Sequence, residues 1–187
     1  DLYSILKSGE VLSGELHLEE LLHKLMSLLL ENAGAERGSL LLRRGKVWYL
    51  KAHSDMQNEK VVIPQNFIID IQNQANDFFP MSLFHYSMRS QETLILANAA
   101  EDEHFRNDSY IKDNSVSSLI ALPCLHKGEL SAMIFLENRL TKGAFTGKHL
   151  DVLKVISSQV ALSLENAILY EQLEDKVKKR TTELKKA

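Results

Sequence analysis

Residues 147–187 read GKHLDVLKVISSQVALSLENAILYEQLEDKVKKRTTELKKA, with no proline and no glycine after Gly147. Those two residues are the strongest helix breakers, so the stretch predicts one continuous helix. Thr146 precedes it as the expected N-cap, its hydroxyl placed on a free backbone N–H of the first turn. At about 1.5 Å per residue the helix would run roughly 60 Å. A globule made from the rest of the chain would measure only about 40 Å across. The helix is therefore expected to leave the body of the protein.

Its faces indicate where it goes. With about 100° between residues, Leu153, Ile156, Val160, Leu164 and Ala167 share one side. Val155, Leu162, Asn166, Leu169, Leu173, Val177 and Leu184 share the other. The first stripe gives out at Glu171 and Glu174, whereas the second continues nearly to the end. The pattern predicts that one face closes the domain and the other meets a partner helix, giving a homodimer through terminal helices. Positions 166, 169, 173, 177, 180 and 184 fit an eleven-residue repeat better than strict heptads. A nearly straight or slightly right-handed pair follows, weakened at its far end by Arg180.

The totals bound the remaining possibilities. A length of 187 residues suits one domain with extensions and allows a substantial core. The formal charge of −3 shows no electrostatic footprint for nucleic acid. Basic residues crowd the segment 176–186, but Glu174–Lys178 and Asp175–Lys179 are spaced i,i+4, as on a solvated helix face. No uninterrupted apolar run approaches the length of a membrane span and no signal peptide is present, so no membrane role is expected. A single cysteine excludes an internal disulfide and suits the cytoplasm. A chain that starts at Asp1 and ends within a helix reads as a segment of a longer protein.

Upstream, residues 1–12 could form a short helix, weakened by Gly9, and Ser13-Gly14 ends it. A stronger helix is expected over 17–33, where Leu18, Leu21, Leu22, Leu25, Leu28 and Leu29 recur at helical spacing; Gly34 stops it. Strands over 39–43 and 46–53 flank a turn at Arg44-Gly45. Residues 54–79 read as irregular with at least one strand, Val61-Val62-Ile63 being interrupted by Pro64. Pro80 opens a helix to about Arg89, and 93–97 form a short strand. Loops and short helices fill 101–114. Strands over 116–125 and 130–138 pair across His126-Lys127-Gly128-Glu129. The order predicts an α+β fold, an antiparallel sheet of five or six strands with the first and last helices on one face and the middle segment on the other.

Several stretches resemble the GAF domains of signalling proteins. They are Ser117-Ser118-Leu119-Ile120-Ala121-Leu122-Pro123-Cys124, Lys127-Gly128-Glu129-Leu130, Ile134-Phe135-Leu136-Glu137-Asn138, Ala144-Phe145-Thr146 and the run from Gln159 to Leu173. Glu31 to Gly38 and Leu96-Ala97-Asn98-Ala99 add to them, and the resemblance covers about residues 12–173. These stretches are similar to the GAF segments of large bacterial multi-domain sensor histidine kinases. Arg180-Thr181-Thr182-Glu183-Leu184 resembles the linker that leads into a kinase core. The resemblance implies a GAF-like (PAS-like) central sheet of six antiparallel strands, helices on both faces and a long C-terminal helix. It implies an N-terminal helical extension at 1–14, a sensory domain at 15–170 and a coiled-coil signalling helix at 171–187, with a kinase or other output domain beyond. It also implies a small-molecule pocket between sheet and middle segment, mapping onto Phe84, Asn98, Phe105, Tyr110, Ile111 and Ser118. The same side chains could instead pack as core, leaving a ligand-free dimerisation and spacer module.

Specific ligands and chemistries are disfavoured. Where cyclic-nucleotide-binding relatives carry Asp-Glu after the phenylalanine, this chain follows Phe145 with His149-Leu150. Bilin attachment uses a cysteine often followed by histidine, whereas Cys124 lies between Pro123 and Leu125 and reads as a buried structural thiol. The histidines at 17, 23, 53, 85, 104, 126 and 149 show no i,i+4 ligand spacing, so no metal site is expected and haem is disfavoured. Methionine sulfoxide reduction, as in one GAF-fold enzyme group, needs a second thiol. No catalytic residue set is discernible, and a regulatory, non-enzymatic role is expected.

Overall fold

Alternation of apolar residues along three long strands sets the architecture. The structure, a computed structural model, describes residues 18–56, 60–62, 67–73 and 76–186; the expected helix and extension at the N-terminus lie outside them. In chain order the elements are α1 (Leu18–Ala33), β1 (Arg37–Arg44), β2 (Val47–Asp55), β3 (Lys60–Val62), β4 (Phe67–Ile68), α2 (Met81–Ser90), β5 (Leu94–Leu96), α3 (Ser109–Asp113), β6 (Ser118–His126), β7 (Glu129–Asn138) and α4 (Gly147–Lys186). The sheet is antiparallel, ordered β3-β2-β1-β7-β6-β5, with β4 also on β2. β3 pairs with His53–Asp55 and β4 with Tyr49 and Leu50. The two occupy one row beside β2, so the sheet is six rows wide. The intervening sequence contains Pro64, which has no N–H for a ladder.

Side chains alternate between the two faces with period two. Leu40, Leu42, Ile120, Leu122, Ile134 and Leu136 join a cluster with Leu22, Leu25, Met26 and Leu29 of α1 and Leu153, Ile156, Val160 and Leu164 of α4. Leu41, Leu119, Ala121, Met133 and Phe135 join the opposite cluster, under α2 and α3. Gly38 lies where α1 presses closest: a Cβ there would sit 2.9 Å from Leu136 Cδ2 and 3.0 Å from Met26 Cε. Pro123 falls where β6 has lost its outer neighbour, since β5 pairs only with Leu119–Ala121. There its missing N–H breaks no ladder.

The hairpin joining β6 and β7 turns through Lys127 (φ 51°) and Gly128 (φ 79°), two consecutive positive φ angles as the tightest hairpin turn requires. Pro80 is the N-cap of α2, one residue before the first turn, at φ −72° and ψ 121°. Asp108 caps two helices at once. Its Oδ1 accepts from Tyr110 N–H at 2.9 Å, and its Oδ2 accepts from Ser82 N–H at 2.9 Å and Ser82 Oγ at 2.6 Å.

α4 is continuous over its 40 residues. Leu153, Ile156, Val160 and Leu164 are buried as the spacing predicts, while Ala167 is only half-buried and Ser157, Ala161 and Ile168 complete the stripe. At the N-terminus Thr146 departs from the expected cap. Its hydroxyl meets His149 Nδ1 at 3.2 Å, and its own N–H donates to the same nitrogen at 3.3 Å. An 18-residue window of α4 reaches a mean hydropathy of 1.3, enough by length and composition to cross a membrane, although 39 % of it is buried in the protein. Lys154, Gln159 and Glu165 interrupt its apolar run.

Candidate functional site

A one-residue bulge determines which polar groups point beneath α2 and α3. Leu40 pairs with Ala52 but Leu41 with Leu50, so Lys51 is the extra residue in β2. Trp48 and Leu50 face α2 and α3, Ala52 faces α1 and α4, and the alternation then brings His53 onto the α2–α3 side. Without the bulge, strict period two from Trp48 would have turned His53 the other way.

His53 completes a buried polar network. Ser39 Oγ donates to the carbonyl of Phe78 at 2.7 Å, so its oxygen must accept from His53 Nδ1–H at 2.8 Å. That leaves His53 Nε2 to accept from Arg37 Nη2 at 3.4 Å. The ring is thus neutral, and burial, reinforced by the Arg37 charge, holds its pKa down to about 4. This is no nucleophilic pair, because the Ser39 proton is committed to a carbonyl and both side chains are enclosed.

Arg37 also places Nη1 3.0 Å from Asn114 Oδ1 and 3.3 Å from Glu137 Oε1, with Nε 3.3 Å from Asp55 Oδ2. Tyr110 donates its hydroxyl to Glu137 Oε2 at 2.8 Å. Arg139 Nη2 donates to Asn114 Oδ1 at 2.7 Å. Burial drives the Glu137 carboxyl up to about 7 against the opposing pull of Arg37 and Tyr110. Burial, with the Glu137 charge, also raises the Tyr110 hydroxyl. α3 is thereby fastened to the ends of β1 and β7. The same stretch of β7 reaches the end of α1, since Asn138 Nδ2 donates to the Gly34 carbonyl at 3.2 Å and Glu36 Oε2 accepts from Arg139 N–H at 2.7 Å.

The six residues expected to form a pocket are divided. Phe84 is fully buried, edge-on to Trp48 with ring centroids 5.3 Å apart. Phe105 packs edge-on against Tyr86, and Tyr110 is buried in the polar network. Ser118 donates to the Thr141 carbonyl at 2.9 Å. Asn98 lines an open cleft of about 410 Å³ between the segment after β5, α3 and the loop before α4, with Ile111, a buried core residue, behind it. Arg106, Lys112 and Lys142 also border it, above a floor that includes Val116. Asn98 Oδ1 is enclosed and accepts no hydrogen bond among the described residues.

Cys124 lies under α4 with Sγ 3.8 Å from the Leu122 carbonyl, and burial pushes its thiol up to about 12. No grouping of three or more metal-ligating side chains occurs among the described residues. The sequence reading missed Arg37, His53 and Asp55 as a cluster. The signal it held for Glu137 was a carboxylate closing the apolar run Ile134-Phe135-Leu136.

A sheet clasped between paired first and last helices on one side and short helices on the other fits the architecture expected from the sequence, and residues 17–164 match the family model described as "GAF domain". The chain belongs to the GAF family. Among relatives, the GAF chain is 36 % identical over 90 residues to Hybrid signal transduction histidine kinase G of Dictyostelium discoideum, a match spanning 48 % of this chain and 3 % of that protein. It is 22 % identical over 176 residues to Peroxide stress-activated histidine kinase mak3 of Schizosaccharomyces pombe, spanning 94 % of this chain and 7 % of that one. Both relatives are eukaryotic, whereas the sequence resemblance pointed to bacterial kinases. Among solved structures, the GAF domain from Acinetobacter phosphoenolpyruvate-protein phosphotransferase superposes with a TM-score of 0.65 at 14 % identity, covering 90 % of this chain and 92 % of that one. At that identity the likeness concerns the fold alone.

Proposed function

We propose that this GAF domain is a sensory and regulatory segment of a larger signal-transduction histidine kinase and acts through a pair of α4 helices. One observation carries the reading. The buried stripe of α4 ends at Ile168, but the opposite stripe stays apolar and uncovered, with Leu169, Leu173, Val177 and Leu184 exposed by 53, 58, 56 and 78 %. Val155, Leu162 and Asn166 extend it backward along the part of the helix that packs on the sheet. A second copy would cover this stripe, each Å² of apolar surface removed from water contributing about 25 cal/mol. An effector, or a change in a neighbouring domain, then acts by binding two arrangements of the pair with different affinity. Residues 171–187 carry the bias onward to an output domain.

A second reading has its own observation. Phe84, Phe105 and Tyr110 are packed against other side chains, which supports a spacer that dimerises without a ligand in its interior. Native mass spectrometry tests both, reporting subunit count and retained small molecules in one measurement. A dimer is expected for the unaltered chain, and Leu169→Glu with Leu173→Glu should return it to monomer with its circular dichroism intact. A monomeric unaltered chain at high concentration, or a dimer indifferent to the paired substitution, refutes the helix pairing.

A further inference from the structure

The cleft beside α3 has a charge that the chain as a whole does not. The protein carries a formal net charge of −3, yet three of the ten residues lining the cleft are cations and none is an anion. Three acids of the same stretch are engaged elsewhere, and the exposed Glu103 and Asp113 are not among the lining residues. Asp102 accepts from the backbone N–H groups of His104 and Phe105, and Asp108 holds the starts of α2 and α3. Glu101 pairs with Lys142 at 3.2 Å. Arg106 and Lys112 are left with no ion-pair partner among the described residues. Asn98, Asn107 and Ser115 add polar lining, and Ile111 and Val116 back the cleft from within the core, exposed by only 1 and 0 %. A volume of about 410 Å³ exceeds the needs of a bare ion and falls in the range of small-molecule sites.

We infer that this cleft binds a small, polar phosphate monoester, its phosphate against Arg106 and Lys112 and its organic part along the polar lining of Asn98, Asn107 and Ser115. Arginine suits the phosphate because its planar fork offers paired N–H donors, and lysine adds a compact charge. The inference rests on reading the domain as a regulator and goes beyond it in naming where the effector sits and what it is. The site also has a route to the rest of the fold. α3 turns Ile111 and Lys112 toward the cleft while Tyr110 and Asn114 hold the network that ends at Glu137 and Arg139.

The test is an amide NMR titration of the 187-residue chain with ribose 5-phosphate, adenosine 5′-monophosphate, inorganic phosphate and ribose. Either organic phosphate should shift amides in 98–100, 106–107 and 111–117 at about 1 mM, the weak end of the affinity scale. Inorganic phosphate should bind more weakly and ribose not at all. Arg106→Gln with Lys112→Gln should weaken binding by about tenfold or more. Added salt should weaken it in the unaltered protein too, a readout that needs no variant. The inference is overturned if neither organic phosphate moves these amides, if ribose moves them equally, or if salt and the paired substitution leave the affinity unchanged. The titration is read independently of subunit count. A failed titration with an intact dimer removes the ligand and leaves the helix pairing standing; a monomer that still binds does the reverse.

Discussion

The two faces of the sheet are built differently. Beneath α1 and α4 the cluster is mainly aliphatic, with Leu40, Leu42, Ile120, Leu122, Ile134 and Leu136 meeting the helices, Phe145 at its margin and no charged side chain buried there among the described residues. Beneath α2 and α3, Trp48, Phe79, Phe84 and Phe135 share the space with Arg37, His53 and Glu137. Stability on the first face rises with the area covered. On the second it depends on every polar group keeping its partner, because an orphaned charge in a dry site costs more than the pair contributes. The first face can tolerate a lost methyl group by partial collapse. The second cannot adjust to a missing guanidinium.

Arg37→Met should produce the largest loss, about 3–5 kcal/mol, by leaving Glu137 without its countercharge. Adding Glu137→Leu should restore part of it, and chemical denaturation of the single and double variants checks both. No restoration would mean that the network is not one unit. On the other face, Leu136→Ala should cost about 2–5 kcal/mol through a cavity, with no partner substitution able to rescue it. Asp108→Ala removes caps from α2 and α3 together. It should cost about 1–2 kcal/mol in thermal melts, and Asp108→Asn should recover only part of that, because its amide nitrogen cannot accept at the second cap.

The most gradual effect is a dependence on pH. Glu137 is raised to about 7, so its stabilising contribution is full below its unfolded value near 4.5 and declines as pH climbs through 7. His53 is depressed to about 4, so its contribution is full above its unfolded value near 6.5 and is lost as pH drops toward 4. Between about 4.5 and 6.5 the two slopes oppose each other. Glu137→Gln removes one of them. Relative to the unaltered protein, its stability should rise with pH across that window by up to about 1.4 kcal/mol per unit. Parallel curves for the two proteins would show that Glu137 does not titrate there.

The aliphatic face was readable from the sequence because periodicity speaks of burial directly. The spacing of Leu153, Ile156, Val160 and Leu164 named the inward side of α4, and Lys127-Gly128 marked the turn between β6 and β7. The polar face was not readable. Arg37 and Glu137 stand 100 residues apart in the chain, and either charge alone resembles an ordinary surface residue. The bulge at Lys51, which turns His53 inward, leaves no mark in composition. Of the residues carried over by family resemblance, Asn98 came to the cleft, Ile111 backs it from within the core, and Phe84 went to the core outright. An aromatic side chain suits a ligand and a neighbouring ring equally well, and one-dimensional information does not distinguish them.

The outermost rows of the sheet have a consequence for crowding. One row is split into β3 and β4, of three and two residues, and the other is β5, of three. Among the described residues neither row presents a long run of free N–H and C=O groups, and where β6 runs on past β5 without an outer neighbour it carries Pro123. Neighbouring molecules therefore have little to grip along either outer row, and pairing there is disfavoured by brevity and by proline rather than by charge. Wherever many such domains are strung close together, their β-structure stays private to each globule.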